Sequence, residues 1–392
     1  MKIKVCYTTH ESNLTGASQS LLDLLDGLDR NDVHPVVLLR KKGPLEQELK
    51  TRNIDYKIVF YAQTIKRAGK RDLLKSSIKK IVNIIQEHRI ARLLQNEKIQ
   101  IVHNNSILAI SGMNAARGAK IPYICHIREV LFGNHSLRSL DINELKKCID
   151  NAENIIAISQ YVKDQYESII KDNNCTVIYD GIKIEKYYTK HRILFTDKKV
   201  RILLAGRIEE GKRQLDAIKA IKMLNEKKTV DCELYVAGND APNSEYPSKV
   251  KDYLQRNSVT NAFLLGFQDL HRLREKCDIC LMCSSNEALG RVIVEGMLSG
   301  CLLIGADACA TPEIIKDGEN GYLYKSRDAA SLSMCIERVL EDKQEARIIA
   351  ETGQKNALSF NVKDYSKRIE AIYKGIIYHN RYEDDQKEKT IK

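Results

Sequence analysis

The sequence has no tryptophan, only 6 prolines and no long apolar run. Its longest apolar stretches, such as Ile279–Met282 and Cys301–Ile304, fall far short of the roughly 18 residues that a membrane-spanning helix requires. The N-terminal segment Met1–His10 holds an apolar core that is too short for a secretory signal peptide. These absences argue against a helical membrane protein. We expect a cytoplasmic protein, with peripheral contact to the inner face of the cell membrane as an open alternative.

The cysteines lack the spacing of a disulfide framework, and their number, 11, is odd. This usage indicates reduced thiols in a reducing compartment. Cys277, Cys280 and Cys283 stand three residues apart, which suggests a metal site. Residues three apart on a strand point to opposite faces, however, so these thiols cannot converge on one ion. We therefore interpret them as small buried side chains and expect no metal site.

Acidic residues are in deficit, and the formal net charge is +11. Much of the excess lies between Lys66 and Arg92. Within this segment apolar residues recur at helical spacing: Leu74, Ile78, Ile81 and Ile85. A basic amphipathic helix suits an anionic membrane surface, but a solvated helix packed by its apolar face explains the pattern equally well. No recognisable nucleic-acid-binding module accompanies the charge, so we expect no nucleic acid partner.

Short β-rich runs alternate with longer helical runs along the whole chain. Examples are Lys2–Tyr7 and Ile99–His103 in the first half, and Arg201–Ala205 and Ile279–Met282 in the second. This alternation predicts parallel sheets covered by helices on both faces. Two such sets in 392 residues predict an α/β protein with two doubly wound, Rossmann-like domains that face each other across a cleft.

Composition also predicts the domain boundaries. The polar stretch 183–199 has weak periodicity and is the predicted linker, so we assign residues 1–185 to an N-terminal domain and residues 186–360 to a C-terminal domain. A helix over residues 361–380 is expected to pack back toward the N-terminal domain. The polar residues 381–392 are expected to form a disordered tail.

The segment Ser284–Gly300 carries the most informative pattern. A predicted strand precedes it, a loop holds Glu287 and Gly290, and a helix follows. A helix N-terminus suits a pyrophosphate, and Gly290 lets the backbone come close to phosphate oxygens. Glu295 lies in the first helical turns, where its carboxylate can accept two hydrogen bonds from a ribose diol. A solvated residue at a helix start explains either glutamate alone, but it explains the whole combination less easily.

A second phosphate-binding pattern follows the strand Arg201–Ala205. The run from Gly206 to Lys212 matches Gly-x4-Gly-Lys, with which a P-loop begins, but Arg213 stands where a P-loop needs Ser or Thr to hold magnesium. We interpret Arg207 and Lys212 as a basic clamp that neutralises the charge on a departing nucleotide diphosphate in place of a metal ion. Two ordinary surface cations at a loop are the alternative.

Together these residues resemble the family-4 (GT4) group of retaining glycosyltransferases with the GT-B fold, over nearly the whole chain. The most specific part is the Glu-x7-Glu signature from Glu287 to Glu295, and Gly206-Arg207 with Lys212 resembles the donor-phosphate pair of the family. The resemblance implies a nucleotide-sugar site in the C-terminal domain. Its residues there are Arg207, Lys212, Glu287, Ala288, Leu289, Gly290, Arg291, Val292 and Glu295.

In the first half the likeness is looser. Gly16 stands in the loop that faces the donor in the family, but Thr15 replaces one of the usual two glycines. His126 ends a predicted strand where the family often has an active-site histidine, and a structural histidine explains it nearly as well. His103 also ends a strand. The resemblance implies that the N-terminal domain binds the acceptor, with His103 and His126 on the acceptor side.

The resemblance also implies the reaction. A sugar passes with retention from a UDP- or GDP-type donor to a glycan or lipid-linked acceptor, in the synthesis of a surface polysaccharide or glycolipid. The leaving phosphate accepts the proton of the acceptor, so the enzyme needs no metal ion and no other cofactor. The catalytic residues are then Glu287, His126, Arg207 and Lys212. A nucleotide-sugar epimerase and a non-catalytic nucleotide-sugar-binding partner of another transferase are alternatives on the same architecture.

Overall fold

The computed structural model describes the backbone of residues 2–62, 65–67, 73–130, 137–139, 142–170, 174–227 and 231–391. Side chains are described in the same ranges except at residues 65–67, 73–79, 137–139, 142 and 380–391. The chain divides into two compact units. The first comprises Met1–Gly181 and Val362–Lys392, and the second comprises Ile182–Asn361.

The first unit is built on a seven-stranded sheet with the order β3-β2-β1-β5-β6-β8-β9, in which all neighbouring strands are parallel. In chain order its elements are β1 (Ile3–Thr9), α1 (Gly16–Gly27), β2 (Val33–Leu39), α2 (Pro44–Thr51), β3 (Asp55–Ile58), β4 (Ile65–Arg67), α3 (Leu73–Asn96), β5 (Ile101–Asn104), α4 (Ile110–Ala119), β6 (Tyr123–Ile127), β7 (Leu137–Ser139), α5 (Ile142–Asp150), β8 (Asn154–Ala157), α6 (Gln160–Gln165) and β9 (Cys175–Val177).

The second unit holds a six-stranded parallel sheet with the order β12-β11-β10-β13-β14-β15. Its elements are α7 (Ile184–Tyr187), β10 (Val200–Ala205), α8 (Gln214–Glu226), β11 (Cys232–Ala237), α9 (Tyr246–Arg256), β12 (Ala262–Gly266), α10 (Leu270–Arg274), β13 (Ile279–Met282), α11 (Arg291–Leu298), β14 (Leu302–Asp307), α12 (Thr311–Ile314), β15 (Tyr322–Lys325), α13 (Ala329–Glu341) and α14 (Lys343–Ala357).

Burial explains why these runs become parallel strands. Every residue of β13 is buried, and so is all of β14 except Asp307. Strands that are covered on both faces consist of continuous rather than alternating apolar residues. Side-chain caps begin the following helices: Asp328 accepts from the backbone nitrogen of Ser331 at α13, and Asp342 caps α14 in the same way. The predicted doubly wound α/β architecture is confirmed for both units.

The last helix, α15 (Val362–Ile391), belongs to the first unit. Tyr365, Ile369 and Tyr373 are buried in the same core as β1 and β2. The chain leaves this unit at Gly181, where an added Cβ would lie 2.7 Å from Tyr365 and 2.8 Å from Val362. This close approach keeps Gly181 in the first unit, four residues before the predicted boundary at residue 185.

Two features differ from the sequence-based expectation. The short antiparallel pair of β4 and β7 was not predicted, because three-residue strands carry too little pattern. The backbone of residues 381–391 continues α15 as a helix, where a disordered tail was predicted. Glu383 and Lys387, and Asp385 and Lys389, are spaced by four residues, and such pairs support a polar helix. The side chains of this segment lie outside the described residues.

Candidate functional site

The order of the second sheet places a crevice between β10 and β13. Read in chain order, the strands run 3-2-1-4-5-6, so the connections leave in opposite directions from β10 and β13. Ligands of open α/β sheets bind at the carboxyl ends of the strands at such a reversal. The two loops that leave these ends are joined, since the backbone nitrogen of Ser285 and the hydroxyl of Ser284 donate to the Gly211 carbonyl at 2.9 and 3.2 Å. These hydrogen bonds hold the two loops together where they line the crevice.

Glycines end three neighbouring strands at this edge. Gly206 follows β10, Gly238 follows β11, and Gly266 ends β12 with a φ of +65°. The Gly238 nitrogen donates to the Gly266 carbonyl at 2.8 Å, and a Cβ on Gly238 would come within 2.1 Å of the Gly206 oxygen. Only glycine fits at Gly238. Gly206, Gly238 and Gly266 thus form a surface without side chains, here called the glycine shelf, where a flat ligand can approach the backbone.

Two cations stand beside this shelf. Arg207 is exposed, and its guanidinium makes no ion pair or hydrogen bond with the described residues. Lys212 donates from Nζ to Oε2 of Glu287 at 2.6 Å. The next residue, Arg213, forms an ion pair with Asp216 at 2.8 Å. Arg213 is thus engaged by a residue of α8, whereas Arg207 is available to a ligand.

The N-terminus of α11 completes the crevice. Gly290 precedes it with a φ of +89°, and a Cβ there would lie 2.8 Å from Cδ1 of Ile293. The first turn carries no acidic residue. Leu289 is buried, whereas Arg291 and Val292 are half-buried at the open end. The backbone N–H groups of a first helical turn and the positive end of the helix dipole make this terminus suitable for an anion.

Glu295, one turn further along α11, is almost buried. Its Oε2 accepts a hydrogen bond from Nη2 of Arg274 at 2.6 Å. Arg274 ends α10 and is 1 % exposed. Burial acts to lower the pKa of its guanidinium, but the neighbouring Glu295 carboxylate and nearby thiols together outweigh burial and raise it. No local sequence pattern marks Arg274, because its partner lies 21 positions away.

The two predicted histidines lie in the interior of the first unit. His103 on β5 and His126 on β6 are both fully buried, and Nε2 of His103 lies 3.1 Å from Nδ1 of His126. Nδ1 of His103 lies 2.6 Å from the Tyr373 hydroxyl on α15. Burial lowers the pKa of His103 to about 3 and that of His126 well below its usual value, with the Arg128 charge acting in the same direction. Both rings are therefore neutral.

Arg128 connects this pair to the end of the first unit. Its Nη1 forms an ion pair with Asp180 at 2.6 Å, and both side chains are buried. Its Nη2 lies 3.4 Å from Nδ1 of His126 and donates to the Tyr365 hydroxyl at 3.2 Å. A guanidinium can only donate, so Nδ1 of His126 is the acceptor and Nε2 carries the proton. The sequence analysis did not identify this network.

Comparisons with known proteins identify the family. Residues 14–186 match the family description "Glycosyltransferase Family 4", and residues 188–356 match "Glycosyl transferases group 1". The chain belongs to the family-4 glycosyltransferases. This membership makes it a glycosyltransferase and confirms the family predicted from the two-glutamate signature and the Gly-Arg…Lys pair.

Relatives of this glycosyltransferase cover most of its length. An uncharacterised glycosyltransferase of Methanocaldococcus jannaschii is 24% identical over 301 residues, or 74% of this chain and 80% of that protein. The N,N'-diacetylbacillosaminyl-diphospho-undecaprenol alpha-1,3-N-acetylgalactosaminyltransferase of Campylobacter jejuni is 22% identical over 354 residues, or 85% and 89%. The crystal structure of Anabaena HepE in complex with UDP superposes with a TM-score of 0.79 at 21% identity, covering 96% of this chain and 100% of that chain. This last likeness shows the GT-B fold.

The predicted site residues of the glycosyltransferase fall into two groups. The structure brings those of the C-terminal half to the crevice of the second unit: Arg207, Lys212, Glu287, Ala288, Leu289, Gly290, Arg291, Val292 and Glu295. Gly16 is exposed at the start of α1 in the first unit, where a Cβ would meet nothing within 4 Å. His103 and His126 present no atom to solvent. Contact of either ring with a sugar therefore requires movement of the groups that cover it.

The cysteines and acids give no metal-binding arrangement in the described ranges. Cys277, Cys280 and Cys283 are all buried, as expected for thiols packed in and around β13. Across residues 2–391, leaving aside the undescribed gaps, no three His, Cys, Asp or Glu side chains gather in a way that could hold a metal ion. No helix in those parts of the chain is long and apolar enough to cross a membrane.

Proposed function

We propose that this glycosyltransferase takes a sugar from a nucleotide-diphosphate donor of the UDP or GDP type and transfers it, with retention, to a glycan or lipid-linked acceptor. The observation that carries the proposal is the convergence of Arg207, Lys212 and the N-terminus of α11 at the β10/β13 crevice. A diphosphate carries the charge that these groups compensate. The relative from Campylobacter jejuni, by its name, acts on an undecaprenol-linked acceptor, and Anabaena HepE was crystallised with UDP.

We propose that the transferred sugar lies beside the ion pair of Lys212 and Glu287. The pair spans the crevice at 2.6 Å, and both side chains are partly exposed. When the diphosphate binds, Lys212 turns its charge to the phosphate, and the Glu287 carboxylate becomes free to accept hydrogen bonds from sugar hydroxyls. The nucleotide ribose lies at Glu295, and the base lies over the glycine shelf. The donor is thus held at both ends of its diphosphate.

The reaction proceeds on one face of the sugar. The bond between the anomeric carbon and the phosphate oxygen breaks, and the acceptor oxygen forms its bond to the same carbon from the same side. The acceptor proton passes to the leaving phosphate, whose growing charge Arg207 and Lys212 stabilise. Two cations and a helix N-terminus stabilise the negative charge of the leaving diphosphate, as a metal ion does in other enzymes. We therefore propose that transfer is independent of metal ions.

A transfer assay tests this function. Purified protein is incubated with labelled UDP- and GDP-sugars, with and without a polyprenyl-diphosphate-linked sugar acceptor, in the presence of EDTA. We expect an α-linked product from an α-linked donor only when the acceptor is present, at a rate that EDTA does not change. A product of inverted configuration or a loss of activity in EDTA would contradict retention or metal independence respectively. An altered nucleotide sugar formed from donor alone would instead identify an epimerase.

The proposed lipid-linked acceptor lies in a membrane, and helix α3 is the candidate for contact with that membrane. Ile81, Ile84 and Ile85 are 61%, 54% and 57% exposed, so this face of α3 does not pack into the core. Asn83, Ile90 and Leu94 are buried instead. The exposure of Ile81 and Ile85 supports the membrane-surface interpretation over the packed-helix alternative. Leu74, Ile78 and the basic side chains from Lys66 to Lys79 lie outside the described residues.

Exposed cations accompany this apolar face. Lys80, Arg89 and Arg92 are exposed on the same helix. Apolar insertion and attraction to anionic lipid reinforce each other on such a surface. We propose that α3 holds the enzyme at an anionic membrane that contains its lipid-linked acceptor. Ile81→Ser/Ile85→Ser should reduce sedimentation with phosphatidylglycerol vesicles, whereas the exposed pair Met334→Ser/Ile348→Ser in the second unit should not. Equal sedimentation of both variants would contradict the proposal.

A further inference from the structure

Glu295 is paired with a buried arginine, Arg274. A solvent-exposed carboxylate that bound a ribose would not need such a partner. Its side chain is 11% exposed, and the Arg274 side chain behind it is 1% exposed. A carboxylate in such a position loses most of its hydration, so its charge needs a close partner. The Arg274 guanidinium, with 2.6 Å between Nη2 and Oε2, is that partner and replaces the lost hydration.

Arg274 is itself held in place by its surroundings. Its guanidinium lies over the Tyr187 ring, 5.6 Å from the ring centroid, and its carbonyl accepts from Nη1 of Arg192 at 2.5 Å. The Ser299 hydroxyl lies 3.2 Å from the Tyr187 carbonyl and 2.9 Å from the Glu295 carbonyl, which ties α11 to α7. These contacts leave the Arg274–Glu295 pair little freedom to rotate.

The geometry divides the two oxygens of the Glu295 carboxylate. Oε2 is occupied by Arg274, and Oε1 accepts no hydrogen bond from the described residues. We infer that Arg274 is a positioning residue for the donor: it fixes the Glu295 carboxylate so that one oxygen faces the nucleotide ribose. This inference rests on the proposed function, in which Glu295 binds that ribose. Arg274 does not touch the donor, since its side chain has almost no exposed surface.

A comparison of the donor KM with kcat distinguishes this role from simple stabilisation. In the proposed function Glu295 binds the ribose before and during transfer alike, so a misplaced carboxylate weakens donor binding more than turnover. We measure the donor KM and kcat for the wild type and Arg274→Met. The donor KM of the variant should rise about 10- to 100-fold, the size expected for loss of a charge-assisted hydrogen bond, while kcat changes less. A donor KM that matches the wild type would overturn the inference.

A matched control separates stability from positioning. Arg347 is a half-buried arginine of the same unit that donates to the Leu194 carbonyl at 3.0 Å. Arg347→Met should lower the melting temperature without raising the donor KM. If Arg347→Met and Arg274→Met raise the donor KM alike, Arg274 has only a structural role.

Two further variants keep the inference testable if Arg274→Met does not fold. The double variant Arg274→Met/Glu295→Gln leaves no uncompensated charge, and its donor KM should be no higher than that of Glu295→Gln alone. The inference would be contradicted if the increase in donor KM of the double variant equalled the product of the increases in the two single variants. A wild-type donor KM for Glu295→Gln would show that the ribose contact of the proposed function is itself wrong. A third outcome is a donor KM that is raised in Glu295→Gln and raised further when Arg274→Met is added. This outcome would leave the proposed function intact and overturn only the positioning role.

Discussion

Arg207 and Arg213 lie six residues apart but have opposite surroundings. Arg207 is exposed and meets no carboxylate among the described residues, whereas Arg213 is paired with Asp216. We predict that Arg207→Ala lowers kcat/KM about 100- to 1000-fold, because it removes one preorganised charge from the leaving diphosphate. Its melting temperature should not change. Arg213→Asn is the control, since asparagine tolerates the left-handed φ of +58° at this position. Equal turnover by both variants would refute the role of Arg207.

The buried histidines predict an acid limit to stability. His103 has a pKa of about 3 in the folded state, below the usual value of about 6.5, so the unfolded state binds more protons between these values. Stability is therefore complete above about pH 6.5 and falls as pH decreases below it, by about 1 kcal/mol from this residue between about pH 7 and about pH 5.5. Urea unfolding at the two pH values measures this loss. His103→Gln should reduce the pH dependence, and an unchanged dependence would contradict the assignment.

At the residue scale, sequence reasoning found groups that belong to spaced local patterns. Glu287, Glu295, Arg207 and Lys212 stand in runs that follow a strand and precede a helix, so their placement follows from the chain itself. Partners across the fold carry no such mark. Arg274 meets Glu295 only because α10 and α11 flank β13, and the sequence says nothing of that contact.

At the scale of elements, α11 depends on the conformation of Gly290. Alanine at this position would adopt an unfavourable φ of +89° and press against Ile293. We predict that Gly290→Ala lowers the free energy of unfolding by about 1–3 kcal/mol and weakens donor binding, because the first turn of α11 shifts. Gly118→Ala in α4 is the control, since its Cβ would meet nothing within 4 Å. Wild-type donor affinity in Gly290→Ala would contradict the role of this turn.

The helix α15 is joined to the first unit by polar as well as apolar contacts. The Tyr373 hydroxyl lies 2.6 Å from His103 and 2.9 Å from the Tyr7 hydroxyl, all within the core. Tyr373→Phe should therefore lower the free energy of unfolding by about 1–3 kcal/mol, because buried partners lose their hydrogen bonds. Tyr378, on the same helix, is 75% exposed, and Tyr378→Phe should have no effect. Equal urea midpoints for the two variants would refute this account of α15.

Element prediction succeeded where burial imposes a pattern and failed where it does not. The strand predicted at Ile279–Met282 has these bounds in the structure, because a short continuous apolar run is the pattern of a parallel strand covered on both faces. The pair of β4 and β7 has three residues in each strand and no such run. Helix α3 was predicted with a stripe of isoleucines, but the direction of that stripe, toward core or solvent, depends on tertiary packing.

At the scale of the whole molecule, each of the two parallel sheets has a point at which the order of successive strands reverses. In the second unit the reversal lies between β10 and β13, and the phosphate-binding patterns of the sequence flank it. Alternating strands and helices predicted this architecture, since few other topologies satisfy right-handed crossovers between parallel strands. Neither the donor base nor the sugar followed from the sequence, because the residues that select them come together only through the fold.

The most direct measurement is a crystal structure of the protein soaked with a nucleotide-diphosphate sugar. We predict that the diphosphate lies within hydrogen-bonding distance of Arg207, Lys212 and the first turn of α11, with the ribose at Glu295. A diphosphate bound elsewhere, or a crevice that stays empty at saturating ligand, would contradict the assignment of the donor site.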